Sequence, residues 1–93
     1  MEIKVYATLR DIVGGSTVNL NGVSEITVDQ MLQKMFAQHP DLKSEFYKSD
    51  GEMHAAIHIL INGRDMRYID GWETVVTEED VVRIFPPVGG GRS

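Results

Sequence analysis

The sequence of 93 residues contains no cysteine. Disulfide bonds, thiolate catalysis and zinc sites built on cysteine are therefore excluded for this chain. Any sulfur that it handles must be bound to a group other than a thiol. Long apolar runs are missing too, since none approaches the roughly 20 residues that a membrane-spanning helix needs. The sequence predicts no membrane partner.

Positive charge is also scarce. Lys and Arg total 9 against 14 Asp and Glu, which gives a formal net charge of −5. The phosphates of nucleic acids require a basic surface, so nucleic acid is excluded as an expected partner. The N-terminal segment, residues 1–4, shows no basic region followed by an apolar block. We therefore expect no secretory signal and a cytoplasmic location.

Patterns of metal ligands are equally sparse. His54 and His58 are four residues apart, but they enter a predicted strand, where this spacing separates them by about 13 Å. No third ligand is evident in the sequence. We interpret both as ordinary sheet histidines and expect no metal site.

What the sequence does contain is the alternation of strands, in a composition that is 42% hydrophobic and 25% charged. Five segments predict strands by their alternation or their β-branched content: residues 2–9, 17–20, 55–61, 68–69 and 81–85. The first two flank Gly14-Gly15 and predict a hairpin. Residues 55–61 are the most apolar and predict a central strand.

One segment has a helical period instead. Its apolar residues recur three and four positions apart, at Val28, Met31, Leu32, Met35 and Phe36. Thr27 and Gln30 before and within it are spaced as a capping box, and Pro40 ends the helix. Leu42 and Phe46 predict one further helical turn. The element order predicts an α+β domain over residues 1–88, with a mixed sheet of four to five strands covered on one face by one main helix.

The last predicted strand is followed by two prolines and three glycines. Pro86-Pro87 favours an extended exit from the sheet, and we expect residues 89–93 to form a flexible tail. Glycines alone most often mean a frayed chain end. A carboxylate on glycines can also enter a narrow pocket, since no Cβ obstructs the backbone or attack on the acyl carbon. Ordering such a tail costs about 1–2 kcal/mol per residue, so a partner must also dock the folded body.

The segment Asp80-Val81-Val82-Arg83-Ile84-Phe85-Pro86-Pro87-Val88-Gly89-Gly90 resembles the C-terminal signature of the MoaD/ThiS sulfur-carrier family. Residues 59–64, residues 69–71 and Thr74 resemble the region that precedes it, especially in the archaeal MoaD-like branch. Leu9-Arg10 also fits, so the resemblance covers essentially the whole chain. It implies a ubiquitin-like β-grasp fold.

The resemblance also implies chemistry at a terminal glycine, Gly91 or alternatively Gly90. An adenylating enzyme of the ubiquitin-activating type (MoeB/ThiF-like) would use ATP and Mg to form a glycyl adenylate, and a sulfur donor would then leave a thiocarboxylate. In molybdopterin synthase this group enters the large subunit (MoaE-like) and gives its sulfur to the pterin precursor. The chain itself would be a carrier subunit without an active site or bound cofactor of its own.

Arg92-Ser93 departs from the family pattern, in which mature members stop at Gly-Gly. The two residues are interpreted either as an addition from cloning or as a precursor extension that a protease trims. Because of the extra glycine, Gly90 and Gly91 are both candidates for the acyl residue, and we prefer Gly91.

Phe85 carries a separate hypothesis together with Leu60. If Val82 and Ile84 point toward the helix, Phe85 lies on the opposite face near the tail and can anchor a partner. Shielding by the Pro86 ring or by a nearby loop is the alternative. The predicted partner-binding residues are thus Leu60, Phe85, Pro86, Pro87, Val88, Gly89 and Gly90.

Three functions remain open at the level of sequence. The first is a sulfur carrier, here the small subunit of molybdopterin synthase, with tRNA thiolation and thiamine or cysteine synthesis as other sulfur acceptors. The second is a protein modifier whose glycine forms isopeptide bonds to lysines. The third is a β-grasp interaction module that is never activated.

Overall fold

The computed structural model describes residues 1–54 and 56–86. Within these residues lie seven strands: β1 (Glu2–Val5), β2 (Thr17–Asn19), β3 (Glu25–Thr27), β4 (His58–Ile61), β5 (Arg64–Asp65), β6 (Val75–Thr77) and β7 (Val82–Phe85). The α-helices of the same part of the chain are α1 (Thr8–Val13), α2 (Val28–Gln38) and α3 (Lys43–Phe46). Short 3₁₀ helices span Pro40–Leu42, Met66–Tyr68 and Gly71–Glu73.

The main sheet has the strand order β2-β1-β7-β4-β5 among the described residues. β1 and β7 pair in parallel, whereas β1–β2, β4–β7 and β4–β5 pair antiparallel. β3 and β6 form a separate antiparallel pair. This arrangement confirms the predicted α+β class and the ubiquitin-like β-grasp, with a mixed sheet and one main helix.

Helix α2 buries the predicted apolar stripe completely. Its N-terminus is closed by the predicted capping box: the Gln30 amide donates to Thr27 Oγ1 and the Thr27 amide donates to Gln30 Oε1, both at 3.2 Å. The stripe packs with the inward residues of the sheet, which include Ile3, Val5, Ile59 and Ile84. The helix therefore covers one face of the sheet and leaves the other face open.

The predicted first strand, residues 2–9, is too long. β1 ends at Val5, and Ala7 is exposed with a positive φ of 54° instead of continuing the alternation. Leu9 is buried as predicted, but it lies on α1. The antiparallel β1–β2 pairing is confirmed, while its connection contains a helix in addition to the glycines.

Three predictions in the second half need correction. The strand predicted at 55–61 is only β4, with Ile57 buried just ahead of it and Ala55 outside the described residues. β4 is an interior strand, as predicted, with β7 on one side and β5 on the other. Residues 68–69 form no strand, because Tyr68 is the last residue of the 3₁₀ helix that begins at Met66, and Ile69 caps that helix. The last strand begins at Val82, one residue later than predicted. In the described part of the chain, no helix is long and apolar enough to cross a membrane.

Candidate functional site

The candidate site begins where β7 ends. Val82 and Ile84 are buried toward α2, while Phe85 is only half-buried and faces the open side of the sheet, as predicted. Pro86, the last described residue, is buried. The other predicted site residues of the tail lie outside the described residues: Pro87, Val88, Gly89, Gly90 and Gly91. The structure thus describes the base of the tail but not the predicted acyl residue.

Phe85 is shielded on one side by an aromatic ring that the sequence did not link to it. The Tyr6 ring stacks on Phe85 with 4.3 Å between centroids and 9° between planes. This contact arises because β1 and β7 run in parallel with Val5 opposite Ile84, so that the next residues on both strands meet. Such a pair contributes about 0.5–1.5 kcal/mol beyond its buried area. The shield is therefore Tyr6, which leaves the other parts of the Phe85 side chain available for contact.

Two arginines extend the aromatic pair. The Arg10 guanidinium lies 4.9 Å from the Tyr6 ring centroid, and its Nε donates to the Val5 carbonyl at 3.0 Å. On the other side, Arg83 Nε donates to the Tyr6 hydroxyl at 3.1 Å. A cation over a ring face and a hydrogen bond to the hydroxyl both fix the Tyr6 ring. The ring that stacks on Phe85 is therefore held in place.

Leu60 lies in the row next to Phe85 on the open face. In the sheet register Leu60 stands opposite Arg83 on β7, and His58 stands opposite Phe85. Leu60 is half-buried. The predicted pair Leu60 and Phe85 is thus brought onto one surface, with a separation of two residues along the strands.

The charge of the open face differs from that of the whole chain. In register across it lie Lys4 on β1 and Arg83 on β7, with Arg10 beside them. The carboxylate on this side of β4 is that of Asp65, whose Oδ2 lies 3.0 Å from His58 Nδ1 and 3.3 Å from Arg67. Although the chain carries a net charge of −5, this face presents Lys4, Arg83 and Arg10, and the exposed carboxylate of Glu2 lies beside Lys4 on the same face of β1.

Burial raises the pKa of Asp65, but other effects outweigh it. Hydrogen bonds from His58 and from the Arg67 amide, together with the charge of Arg67, leave the pKa of this carboxyl below its ordinary value of 3.8. Asp65 is therefore ionised at neutral pH and engaged by its neighbours. His58 is an ordinary sheet histidine, as predicted, whereas His54 precedes β4 and its amide donates to Phe46 O.

The start of β7 is fixed by the turn before it. Asp80 accepts from the Thr77 amide at 2.8 Å and from Asn62 Nδ2 at 2.9 Å, and Asn62 Oδ1 accepts from the Val81 amide. The hydrogen bonds from Thr77 and Asn62 hold the pKa of Asp80 below its ordinary value. This network makes residues 77–80 a structural turn that fixes the start of the strand leading to the tail.

No group of three or more His, Asp or Glu side chains that could hold a metal ion is found within residues 1–54 and 56–86. The site offers a stacked aromatic pair, an aliphatic side chain and basic groups, arranged at the root of a glycine tail. Such a surface suits the docking of a protein partner.

Comparison with known proteins agrees with this geometry. The ThiS family matches residues 3–91. Two curated relatives come from Haloferax volcanii: small archaeal modifier protein 3 is 32% identical over 98% of each chain, and small archaeal modifier protein 1 is 34% identical over 98% of this chain and all of the relative.

Solved structures of relatives show the same fold. The crystal structure of SAMP1 from Haloferax volcanii superposes with a TM-score of 0.78 at 31% identity and covers 97% of each chain. The crystal structure of the BexX/CysO complex of Amycolatopsis orientalis has a TM-score of 0.75 at 27% identity, covering 97% of this chain and 98% of the other. The relatives thus include both a modifier and a chain solved in complex with another protein.

Proposed function

The chain belongs to the ThiS family of ubiquitin-like sulfur carriers and modifiers, and from this premise we propose that its C-terminal glycine is an acyl group that a partner enzyme activates. Gly91 is the proposed acyl residue, with Gly90 as the alternative. The observation that carries this proposal is the family match itself, which extends through Gly91 and ends before Arg92-Ser93. Removal of these two residues by a protease is part of the proposal.

The proposed reaction takes place at the backbone carboxylate. One oxygen of the glycine carboxylate attacks the α-phosphorus of ATP, bound with Mg by the activating partner, and pyrophosphate leaves. Hydrosulfide from the sulfur donor then attacks the acyl carbon, and AMP departs with the oxygen that joined it to the acyl group, which leaves a thiocarboxylate. The chain contributes no acid, base or metal ligand to these steps, and it binds no cofactor of its own.

We assign docking of the activating enzyme to the open face of the sheet. A tail of glycines loses about 1–2 kcal/mol of backbone entropy per residue when it is ordered, so the folded body must supply binding energy. The half-buried side chains of Phe85 and Leu60 supply apolar contact next to the point where the tail begins. The basic groups around them favour an acidic surface on a partner such as a MoeB/ThiF-like adenylating enzyme.

For the sulfur acceptor we propose the pterin precursor of molybdenum cofactor biosynthesis, which makes this chain the small subunit of molybdopterin synthase and a MoaE-like large subunit its second partner. The alternative destinations of the thiocarboxylate sulfur are the thiolation of tRNA and the synthesis of thiamine or cysteine. The cytoplasm is the proposed location for all of them.

A second candidate function is favoured by a specific observation. The curated relatives that match 98% of this chain are small archaeal modifier proteins 1 and 3. In this second function the activated glycine forms an isopeptide bond to lysines of other proteins. Both functions share the adenylation step and diverge only at the acceptor.

Intact-protein mass spectrometry separates the two functions. A chain ending at Gly91 is incubated with the activating enzyme, ATP, Mg and a sulfur donor, in the presence and absence of acceptor proteins. A mass increase equal to exchange of one oxygen for sulfur supports the carrier, and covalent adducts on lysines support the modifier. An unchanged mass under both conditions contradicts activation of the glycine. The remaining function is then that of a β-grasp interaction module that is never activated.

A further inference from the structure

The exposed apolar side chains of this protein are concentrated in one short segment away from the open face. Five large hydrophobic residues are exposed in the described part of the chain, and four of them fall within residues 68–75: Tyr68 at 74%, Ile69 at 39%, Trp72 at 40% and Val75 at 52%. Single exposed apolar residues are ordinary, whereas several together commonly mark an interaction site. We call this segment the 68–75 loop.

The 68–75 loop is held firmly by the fold. The Asp70 amide donates to Thr74 Oγ1 at 3.0 Å, and the Thr74 amide donates to the Gly71 carbonyl at 3.1 Å. Thr74, near the end of the loop, is a buried polar residue, and its carbonyl accepts from the Val28 amide at the start of α2 at 2.9 Å. The exposure of the aromatic rings is thus built into an ordered loop, which reduces the entropy lost when a partner binds.

A surface cavity of about 350 Å³ adjoins this loop at Trp72. Its lining combines two aromatic residues, two carboxylates, a thioether and a glycine: Tyr47, Trp72, Asp29, Glu52, Met53 and Gly51. Among the residues that the structure describes, no basic side chain lines it. Aromatic faces and carboxylates both attract cations, so the chemistry of the lining suits an ammonium or guanidinium group.

The two carboxylates of the cavity are not equivalent. Asp29 lies in the first turn of α2, where the positive end of the helix dipole offsets part of its charge. Glu52 is exposed and follows the turn at Gly51, and the described residues include no ion pair to its carboxylate. Glu52 therefore supplies most of the unbalanced negative charge beside Trp72.

We propose that the cavity beside Trp72 and the 68–75 loop form a second docking surface, which binds a lysine or arginine side chain of a partner protein while apolar neighbours of that side chain pack on the loop. The charge argues for this occupant, because this surface is acidic and aromatic whereas the open face of the sheet is basic. The two surfaces thus select partners of opposite charge. The inference does not depend on activation of the tail.

Fluorescence of Trp72 tests the proposal directly, since the chain contains one tryptophan. The probe is a synthetic peptide whose two ends are blocked and uncharged and whose single lysine is flanked by leucines. Its control is the same peptide with the lysine acetylated. The lysine peptide is expected to change the Trp72 emission in a saturable way. Acetylation of the lysine or the variant Glu52→Gln is expected to weaken binding about five-fold. The variant Glu78→Gln removes the same charge outside the cavity and is expected to bind as the wild type does.

Equal binding of the two peptides, or undiminished binding by Glu52→Gln, overturns the proposal. An emission that shifts with protein concentration in the absence of peptide also overturns it, because the occupant is then a second copy of this chain. Thiocarboxylate formation by Glu52→Gln is expected to equal that of the wild type, which keeps this test separate from the proposed function.

Discussion

Ala7 is a single residue whose backbone conformation conflicts with its side chain. Its φ of 54° and ψ of −130° correspond to the first central position of a type II′ turn, a position that favours glycine. The Leu9 amide donates to Tyr6 O, and the Arg10 amide donates to Ala7 O, so the turn is fixed on both sides. The strained residue directly follows Tyr6, the ring that stacks on Phe85. Its conformation directs the chain from the end of β1 into α1.

The variant Ala7→Gly is expected to stabilise the protein by about 1 kcal/mol. Relief of strain of roughly 1–3 kcal/mol exceeds the entropy that glycine adds to the unfolded chain, about 0.4–1 kcal/mol. Urea unfolding measures the difference. The same substitution at the exposed helical residue Ala37 is the control, with an expected loss of about 0.5–1 kcal/mol. Destabilisation by both variants to the same extent contradicts strain at Ala7.

Asp80 shows how one carboxylate links stability to pH. Its pKa in the folded state is lowered by hydrogen bonds from Thr77 and Asn62, so the ionised form stabilises the fold. This contribution is present above the unfolded value, near 3.8, and is lost as the pH falls through the lower folded value. Acid therefore weakens the turn that enters β7.

Replacement of Asp80 by Asn is expected to cost about 1 kcal/mol at pH 7, because Asn has a single acceptor oxygen, whereas the two oxygens of Asp80 accept from the Thr77 amide and from Asn62 Nδ2. The difference from the wild type should shrink as the pH falls below 3.8. Unfolding in urea at several pH values measures it. Glu79→Gln, which changes the adjacent exposed carboxylate, should show little effect at any pH; a pH-independent loss in Asp80→Asn would refute the linkage.

At the scale of elements, helix α2 is the part that sequence reasoning predicted best. Five apolar residues at helical spacing, a capping box and a following proline all indicate the same limits, and the structure agrees. These signals are local, so they do not depend on unknown long-range pairings. The position of Phe85 and Leu60 on the open face was predicted for the same reason, since alternation alone places them opposite the core.

Other elements could not be predicted because their signals are short or depend on distant residues. β3 and β6 have three residues each, too few to show a period, and no strand was predicted at either. In the sequence, the alternation of apolar and polar residues continues through Ala7, although the positive φ of this residue takes the chain out of the extended conformation. The Tyr6–Phe85 stack follows from the parallel pairing of the first and last strands, which no local pattern reveals.

The capping box of α2 gives a prediction at this scale. Thr27→Ala removes the acceptor of the Gln30 amide and is expected to destabilise the protein by about 1 kcal/mol. Gln33→Ala, at an exposed position within the same helix, serves as the control, and we expect a change within about 0.5 kcal/mol. Thermal and urea unfolding provide the measurement. Equal stabilities of the two variants would show that the cap contributes nothing.

The whole molecule is acidic but has a basic face around the root of its tail. If this face docks the activating enzyme, Lys4→Glu is expected to reduce the association rate at low salt several-fold, with a smaller effect at high salt. The fold should tolerate this change, because Arg83 lies opposite Lys4 in the sheet and pairs favourably with Glu. Stopped-flow binding measures the rate.

Lys34→Glu supplies the matched control, since it introduces the same charge on helix α2, on the far side of the sheet. Net charge changes equally in the two variants. Equal slowing by both would mean that total charge, and not the open face, governs the encounter.

The central claim is that the chemistry belongs to the carboxylate of a terminal glycine, held at the end of a fixed β7. ATP–pyrophosphate exchange with the activating enzyme tests it most directly, on chains that end at Gly90, Gly91 and Ser93. The account predicts rapid exchange with the chain that ends at Gly91, or alternatively at Gly90, and none above background with the chain that retains Arg92-Ser93. Exchange that is equally rapid with the Ser93 chain, or absent with all three, would contradict it.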